Sequence, residues 1–251
     1  MRTIMKTSTS IETHVVSQRS LFDSMLKFHR DRVEQIVNGE LRLHENSEED
    51  CLLLHFLPEE AFSSYRLIDA TLLKEVGSLI PPLGGRGAYG KFNVDGFVNH
   101  DVYDSVDRYS VLYRDGRVEA LMPSIRYSLN QGKQAEGPYA IRDLLIDEGV
   151  LKTTEAYLSV TERLEISTSV WLFSCIIGCR DVHICTDPMF RDLSRHRLDR
   201  SPCFLPPLRL ERSEEKKGKI VRRWSDLFWQ AFGMERSLNF DENGDLRARR
   251  R

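Results

Sequence analysis

The sequence predicts an α+β protein in which a mostly antiparallel sheet of about five to seven strands packs with helices in a single domain. The first observation is a hairpin pattern, since alternating apolar residues over 109–113 and 118–122 flank an Asp115-Gly116 turn. The second is a pair of short, continuous apolar runs, 51–57 and 170–177, whose length is typical of buried strands. Helical patterns lie before, between and after these strands, which favours an α+β fold over a doubly wound one.

The most regular helical pattern begins at Ser20. Ser20 and Asp23 have the spacing of a capping box, and Asn38-Gly39 supplies a left-handed stop. One stripe of side chains recurs at helical spacing: Phe22, Met25, Leu26, His29, Val33, Ile36 and Val37. Residues 1–19 are polar and have no sustained period, so we expect a segment or linker outside the domain. The predicted domain then spans 20–246, and 247–251 form a basic tail.

Four further patterns complete the predicted helices. Pro58 is well placed to start a short helix over 58–62, and a second short helix covers 70–76. A long helical segment follows at 137–166, bent or divided by Gly149. The last helix runs from about 220 and ends at glycine 233.

The remaining strand signals are weaker than those of the hairpin. Apolar residues over 92–98 predict a strand, and 182–185 is predicted to be the hairpin partner of 170–177. Residues 204–210 have an extended pattern, but two prolines confine them to a sheet edge or a loop.

The hairpin pattern also predicts a register. A two-residue Asp115-Gly116 turn places Arg114 opposite Arg117 and puts the apolar residues of both strands, such as Val111 and Ala120, on one face. The two arginines would form either an anion-binding corner or a solvated loop end. Like charges opposite each other repel slightly, and we favour the solvated loop end.

Composition and charge exclude several classes of protein. The 251 residues carry 36 Lys and Arg against 38 Asp and Glu, a net charge of −2, which argues against a dedicated nucleic-acid binder. The first residues lack the apolar core of a signal peptide, and no apolar run approaches the ~20 residues that span a bilayer, so we expect no membrane association. The five cysteines are scattered through apolar stretches, which predicts reduced thiols in a cytoplasmic protein.

The charge is unevenly distributed along the chain. Residues 1–185 hold 20 basic against 27 acidic side chains, a balance of −7, whereas 186–251 hold 16 against 11, a balance of +5, which together give −2. We favour intramolecular balance and a solvated surface as the explanation. The alternative is nucleic-acid contact through the basic quarter, for which the candidates are Arg191, Arg195, Arg197 and Arg200.

A glycine-rich loop at 84–91 matches the G-x-G-x-x-G pattern of phosphate-binding loops. A dinucleotide site needs this pattern after a strand and before a helix, but here a helix and a Pro-Pro loop precede it and a strand follows. Order excludes a kinase as well, because the His29-Arg30-Asp31 triplet lies upstream of the glycines. What remains is a surface loop, which we favour, or a small-anion site built from backbone N–H groups and two cations. The candidate residues are Gly85, Arg86, Gly87, Gly90 and Lys91.

Three clusters contain metal-ligand residue types without the spacing of a metal site. Three cysteines and His183 within 175–185 lie too close together for two converging zinc knuckles, so buried thiols are the better interpretation. The acidic residues of 95–107 lack the acid-x-lysine partner of a metal nuclease. Residues 241–245 lack the later EF-hand ligands and are predicted to form a turn. We therefore predict no cofactor and no metal, and the absence of a catalytic constellation favours a protein that is not an enzyme.

Seven groups of short segments carry a resemblance, and they keep their order along the chain. They are Phe28–Val33 with Gly39-Glu40, Leu52–Pro58 with Phe62, Pro81–Leu83, Phe92–Gly96, Tyr113–Gly116 with Val118-Glu119, Trp224–Gly233 and Ser237–Gly244. Taken together, they resemble the C-terminal region of bacterial Schlafen/Alba-like DNA-binding, or ATP-binding, domain proteins. The resemblance implies a partner region with no catalytic residues of its own. It also implies a companion N-terminal Alba-like domain that binds nucleic acid or nucleotide, and we expect that domain to be absent from this chain.

The predicted function is therefore a non-enzymatic binding or regulatory module, the partner region of a Schlafen/Alba-like DNA-binding protein. Its expected partner is another protein or a second copy of this chain, with nucleic acid bound only through the companion domain. The alternative is a domain that senses a nucleotide or small anion, or an enzyme of another type, through the glycine loop at 84–91.

Overall fold

The computed structural model describes residues 5–40, 50–85, 89–101, 108–129, 138–184, 196–210 and 217–247, with side chains from residue 18 onward. Within these ranges helices pack on both faces of a mostly antiparallel sheet, which confirms the predicted α+β class. The main sheet has eight strands, against the five to seven predicted, and a second sheet has three. None of the described helices combines the length and the apolar composition needed to cross a bilayer.

The helices are α1 Met5–Val37, α2 Glu60–Ser63, α3 Ala70–Gly77, α4 Asp143–Arg163 and α5 Lys217–Gln230. The strands are β1 Cys51–Pro58, β2 Tyr89–Phe92, β3 Gly96–Asp101, β4 Arg108–Tyr113, β5 Val118–Pro123, β6 Arg126–Ser128, β7 Tyr139–Ile141, β8 Val170–Ile177, β9 His183–Ile184, β10 Cys203–Phe204 and β11 Leu208–Leu210. The main sheet has the order β10-β8-β1-β5-β4-β3-β2, with β11 also on β8, and the second sheet has the order β6-β7-β9.

Strand β1 lies inside the main sheet and is covered on both faces. All of its residues are buried, as its continuous apolar run predicts. Because successive side chains alternate between faces, Leu52, Leu54 and Phe56 join the large core cluster that also contains side chains of α3, α4 and α5. Leu53 and Leu57 lie on the other face and join clusters that contain side chains of α1. The two faces of the sheet are therefore covered by different helices.

Helix α1 begins at Met5, so the prediction of a start at Ser20 is wrong. Ser20 is an interior position whose carbonyl oxygen accepts a hydrogen bond from the Ser24 hydroxyl. A capping spacing alone does not begin a helix when the preceding residues also adopt helical dihedrals. The predicted stop is confirmed, because Gly39 has φ 69° and the N–H of Glu40 donates to the Gln35 carbonyl, as in a Schellman motif.

The segment predicted as one helix at 137–166 contains a strand and a helix. Strand β7 precedes α4, which begins at Asp143 and continues through Gly149. Gly149 does not divide the helix. A Cβ atom at this position would lie 2.9 Å from the backbone nitrogen of Gly84, so the glycine admits the preceding loop against the helix.

Two strand predictions need correction and one is confirmed. The described part of the predicted strand 182–185 does not pair with β8, because β9 pairs with β7 in parallel. The strand predicted at 92–98 is two strands, β2 and β3, which pair across a turn at 93–95. The extended segment 204–210 lies at the sheet edge as predicted, where β10 and β11 pair with β8 on either side of two prolines that cannot donate to a ladder.

The β4–β5 hairpin exists as predicted, but its register differs by one residue. The N–H of Tyr113 donates to the Arg117 carbonyl, and Leu112 lies opposite Val118. The loop therefore has three residues and ends in Gly116 at φ 93°, instead of the two-residue turn that would pair Arg114 with Arg117. A slip of one residue exchanges the faces of all side chains on a strand.

Candidate functional site: a cleft above a buried Glu119 network

Glu119 is the centre of a polar network between the main sheet and α1. It lies on β5 and is fully buried at 0% exposure. Its carboxylate accepts hydrogen bonds from Arg32 Nε at 2.7 Å and Nη2 at 2.6 Å, from His55 Nε2 at 2.8 Å, from Tyr109 OH at 2.9 Å and from Tyr113 OH at 3.2 Å. These donors occupy the acceptor sites of both carboxylate oxygens.

Cross-strand pairing brings these side chains together. Glu119 lies directly opposite His55 of β1 on one side and Val111 of β4 on the other. Tyr109 and Tyr113 lie two positions from Val111 on the same face of β4, so both hydroxyls reach the carboxylate diagonally. Helix α1 covers this face and supplies Arg32, the only cation that the described residues bring to the network, through a bidentate ion pair.

A second histidine extends the network away from Glu119. His29 Nδ1 lies 2.7 Å from His55 Nδ1, and both rings are buried. An ionised Glu119 cannot donate, so His55 Nε2 must carry a proton. In the neutral ring His55 Nδ1 is then an acceptor, and His29 Nδ1–H is the donor. This assignment leaves the lone pair on His29 Nε2, for which the described residues provide no hydrogen-bond partner.

Burial and the partners fix the charge of each group. Burial alone would raise the pKa of Glu119, but hydrogen bonds from His55 and Arg32 outweigh it and hold that pKa below its usual range. Burial, with a contribution from His55, lowers the pKa of His29 to about 2. Burial also lowers the pKa of His55, although Glu119 opposes this shift. At neutral pH the network therefore holds one ion pair and two neutral imidazoles.

The network contains the residue types of a catalytic relay, but the histidine at its end is buried. A carboxylate that orients a histidine is the usual means of preparing a general base. Here the free lone pair of His29 lies at a ring that is 1% exposed and packed against Phe173 and Phe204. A general base must lie within hydrogen-bond reach of the proton that it removes. The geometry instead suits a fixed connection between α1 and the sheet.

An open cleft lies above the Arg32 and Tyr113 end of the network. Its volume is about 570 Å³, and four chain segments form its walls. They are α1 near Phe28, the connection between α2 and α3 at 64–67, the turn at 94–95, and the hairpin at 113–117. Because Arg32 and Tyr113 belong both to the network and to the cleft, the buried hydrogen bonds fix the floor of the cleft.

Arg117 forms part of this floor within a cage of aromatic rings. Its guanidinium lies 4.3 Å from the ring centre of Phe28, 5.1 Å from that of Tyr113 and 5.4 Å from that of Phe62. It also forms an ion pair with Asp115 at 2.7 Å. Cation–π contacts of this kind strengthen when water is excluded. The arginine predicted to face solvent beside the turn is therefore half-buried and fixed.

Three large, exposed side chains lie among the polar residues that line the cleft. Tyr65 is 93% exposed, Leu67 61% and Val94 88%. Single exposed apolar side chains are normal on a protein surface, but three large ones beside a cleft form a patch. The hydrophobic pattern of the sequence did not identify them, because they lie in connections with no regular period.

The glycine-loop candidates are divided between two parts of the chain. Arg86 and Gly87 lie outside the described residues. Gly85 packs against Asp101, since a Cβ atom there would lie 2.8 Å from Asp101 Oδ2, and a Cβ at Gly90 would lie 2.3 Å from a ring atom of Phe97. Lys91 is exposed on strand β2. Close packing therefore accounts for the two described glycines, and anion binding by the loop stays a prediction.

The basic candidates of the C-terminal quarter lie apart from the cleft. Arg191 and Arg195 fall outside the described residues. Arg197 pairs with Asp181 at 3.5 Å, and Arg200 pairs with the neighbouring Asp199 at 2.8 Å. Each described arginine thus has an acidic partner, which agrees with the favoured interpretation of local charge balance.

The metal-ligand candidates do not converge where the structure describes them. Cys175 and Cys179 are buried free thiols, and Cys185 lies outside the described ranges. Across the described residues no three His, Cys, Asp or Glu side chains form a group that could hold a metal ion. The predicted turn at 241–245 is confirmed, because Asp241 Oδ1 accepts from the backbone N–H groups of Asn243 and Asp245.

A second buried carboxyl group lies between α4 and α5. Asp147 accepts hydrogen bonds from Ser225 Oγ at 2.6 Å and from Asn239 Nδ2 at 2.8 Å, and Asn239 also donates to Asp143 at 2.9 Å. No cation pairs with Asp147 among the described residues. Burial therefore raises the pKa of Asp147 to about 7. Asn239 thus joins the C-terminal segment to α4, and the Ser225 hydrogen bond joins Asp147 to α5.

No family model, curated protein or solved structure matches the chain. The Schlafen/Alba-like relationship and the function that it implies therefore remain predictions. Some of the segments that carry the resemblance coincide with the network: Phe28–Val33 contains His29 and Arg32, and Leu52–Pro58 contains His55.

Proposed function

We propose that this chain is a non-enzymatic binding or regulatory module that binds a protein segment in the cleft above the Glu119 network. The observation that carries the proposal is the rim, where Tyr65, Leu67 and Val94 are all more than 60% exposed beside a preformed floor that contains arginines. Tyrosine and arginine are enriched at the energetic centres of protein interfaces. Small-molecule sites, in contrast, bury most of their ligand in concave surroundings.

The closed network supports a binding role over a catalytic one. The histidines and the carboxylate that could perform acid–base chemistry are fully covered, whereas the exposed part of the site consists of side chains that bind. The overall charge of −2 and the local pairing of Arg197 and Arg200 support a protein partner over nucleic acid. The resemblance to Schlafen/Alba-like proteins likewise implies that a companion domain, and not this chain, binds nucleic acid.

A cytoplasmic location belongs to the same proposal. Cys51, Cys175, Cys179 and Cys203 are buried thiols with no disulfide partner. Buried, reduced cysteines are the usual state in a reducing compartment. Secretion of a stably folded, disulfide-bonded form of this chain would contradict this part of the proposal.

A display experiment tests the proposed binding face. A random peptide library is selected against the whole chain, and peptides that also bind a Tyr65→Ser/Leu67→Ser double variant are discarded. We expect enriched peptides whose Kd rises by about tenfold or more in that variant, because truncation of interface centres costs more than ~1 kcal/mol. Since Tyr65 is 93% exposed, the double variant should fold with nearly unchanged stability.

Matched controls separate the cleft from exposed apolar residues in general. Tyr89→Ser and Leu238→Ser remove the same side chains at other exposed positions, which are 67% and 42% exposed. Peptide affinity should be unchanged in both control variants. The proposed function is wrong if no peptide depends on the cleft, or if the chain alone binds duplex DNA tightly and with a steep salt dependence.

A further inference from the structure

Arg114 differs from the other arginines that line the cleft. It lies in the loop of the β4–β5 hairpin, and its Nε donates to the Val94 carbonyl over a long distance of 3.4 Å. Among the described residues no carboxylate lies within ion-pair distance of it. The terminal nitrogens Nη1 and Nη2 therefore have no protein acceptor there, and they form the fork that matches a carboxylate in bidentate geometry.

The other three guanidinium groups already have acceptors. Arg32 uses Nε and Nη2 on Glu119, and its Nη1 donates to Gln35 at 3.2 Å. Arg66 pairs with Glu60 at 2.6 Å and also donates to a backbone carbonyl. Arg117 pairs with its own neighbour Asp115 inside the aromatic cage. An acidic group that enters the cleft therefore finds one open guanidinium in the described part of the chain.

Three carboxylates line the same cleft and oppose such a group, and one of them, Asp115, is paired with Arg117. Asp31 is neutralised by Lys27 at 2.5 Å. Asp95 lies on the turn beside Arg114, whose backbone N–H donates to the Asp95 carbonyl at 3.2 Å, but its side chain forms no ion pair with Arg114. Its charge weakens the attraction for an acid without occupying the guanidinium. Removing the Asp95 charge should therefore strengthen binding of an acidic partner.

We propose that the protein segment bound in this cleft places an acidic side chain on Arg114 and an apolar side chain against Tyr65, Leu67 and Val94. The inference rests on the proposed function and specifies the chemistry of the partner. The two contacts lie on adjoining parts of one rim, since Arg114 Nε already touches the backbone of Val94. An acidic residue and an apolar residue two positions apart in an extended segment have side chains on the same side and would reach both.

Charge reversal tests the acidic contact. The library is selected separately on the wild type and on Arg114→Glu, with Arg236→Glu as the control at an exposed arginine elsewhere. We expect cleft-dependent peptides from the wild type to share an Asp or Glu two positions from an apolar residue, and to lose about tenfold in affinity on Arg114→Glu. Arg236→Glu should change affinity less than about twofold, and Asp95→Asn should raise it about two- to threefold.

The outcomes distinguish this inference from the proposed function. Peptides that need Tyr65 and Leu67 but bind Arg114→Glu as well as wild type overturn the acidic contact and leave the binding module intact. Selection of Lys- or Arg-rich peptides on the wild type overturns it too. If no peptide depends on the cleft, both the acidic contact and the proposed binding function are wrong. If duplex DNA binds the wild type but not Arg114→Glu, the partner is nucleic acid and not an acidic peptide.

Discussion

Two buried carboxyl groups that lie on opposite sides of the same sheet have pKa values shifted in opposite directions. Glu119 lies under α1 with a bidentate arginine and three further donors, and its pKa stays below the usual range. Asp147 lies between α4 and α5 with neutral donors, and burial raises its pKa to about 7. Burial disfavours the charged form in both cases. The comparison shows that the available cation, and not the depth of burial, decides whether a carboxyl group remains ionised.

The Glu119 and Asp147 groups also differ in their relation to the cleft. The Glu119 group is a fixed ion pair whose arginine also forms the floor of the cleft. The Asp147 group joins the C-terminal segment to two helices and has no contact with the cleft. Changes to either group affect stability, but only the first should affect the shape of the binding surface.

Removal of the Glu119 carboxylate should have the largest effect. Glu119→Ala leaves Arg32 and His55 without their acceptor in a buried site, and breaking a buried ion pair by removing one partner costs about 3–5 kcal/mol. Urea denaturation at pH 7 measures this loss. Asp147→Asn is the matched control, since it replaces a carboxyl group whose pKa of about 7 leaves it partly protonated at pH 7. The comparison fails if the two substitutions cost the same.

Asp147→Asn should change stability in a pH-dependent way. The ordinary pKa of this group is 3.8 and its folded pKa is about 7, so the folded protein binds the proton more tightly and wild-type stability falls as pH rises from about 4 through 7. The amide side chain of the variant does not titrate, so the variant does not lose this stability as pH rises. We expect the variant to gain about 3–4 kcal/mol relative to wild type between pH 4 and pH 8, given ~1.4 kcal/mol per pK unit. A gap that does not move with pH would show that Asp147 is ionised in the fold.

His29→Leu should have the opposite pH dependence. The folded pKa of His29 is about 2 against an ordinary 6.5, so the unfolded chain takes up a proton as pH falls below 6.5 while the fold does not, and wild-type stability decreases. The variant lacks this loss but leaves His55 Nδ1 without a donor, at a cost of about 1–2 kcal/mol near pH 7. The difference between the two proteins should shrink by about 2 kcal/mol from pH 7 to pH 5. Denaturation curves in which it grows would contradict a neutral, buried His29.

Asn239→Ala should have the smallest of these effects. It removes the donor shared by Asp143 and Asp147, which should cost about 1–2 kcal/mol. Asn243→Ala is the control in the same segment, because Asn243 is exposed and contributes only its backbone N–H to the turn. That control should change stability by less than about 0.5 kcal/mol. Equal losses in thermal denaturation would show that the segment acts as a turn and not through Asn239.

The fold class could be predicted because its strongest signals are local. The continuous apolar runs at 51–57 and 170–177 became the buried strands β1 and β8, and the prolines near 206 lie at the sheet edge. The parallel pairing of β9 with β7 could not be predicted, because the two strands lie far apart in sequence and each is very short. Pairing of that kind depends on tertiary packing, not on local pattern.

The candidate site could not be predicted because one turn was assigned the wrong length. An Asp-Gly pair fits both a two-residue turn and a three-residue loop that ends in a left-handed glycine. The two-residue choice placed Glu119 on the face away from Tyr109 and Tyr113, whereas the observed register joins all three. A usable signal was nevertheless present. His29 and His55 each interrupt an apolar pattern, and buried histidines require polar partners.

Hydrogen–deuterium exchange of the whole chain with a cleft-selected peptide tests the proposed binding surface most directly. Amides in 64–67, 94–95 and 113–117 should exchange more slowly in the complex, while those in 89–92 and 196–200 keep their free rates. Protection that is confined to strand β2 or to 196–200, with none around the cleft, would contradict the proposed site.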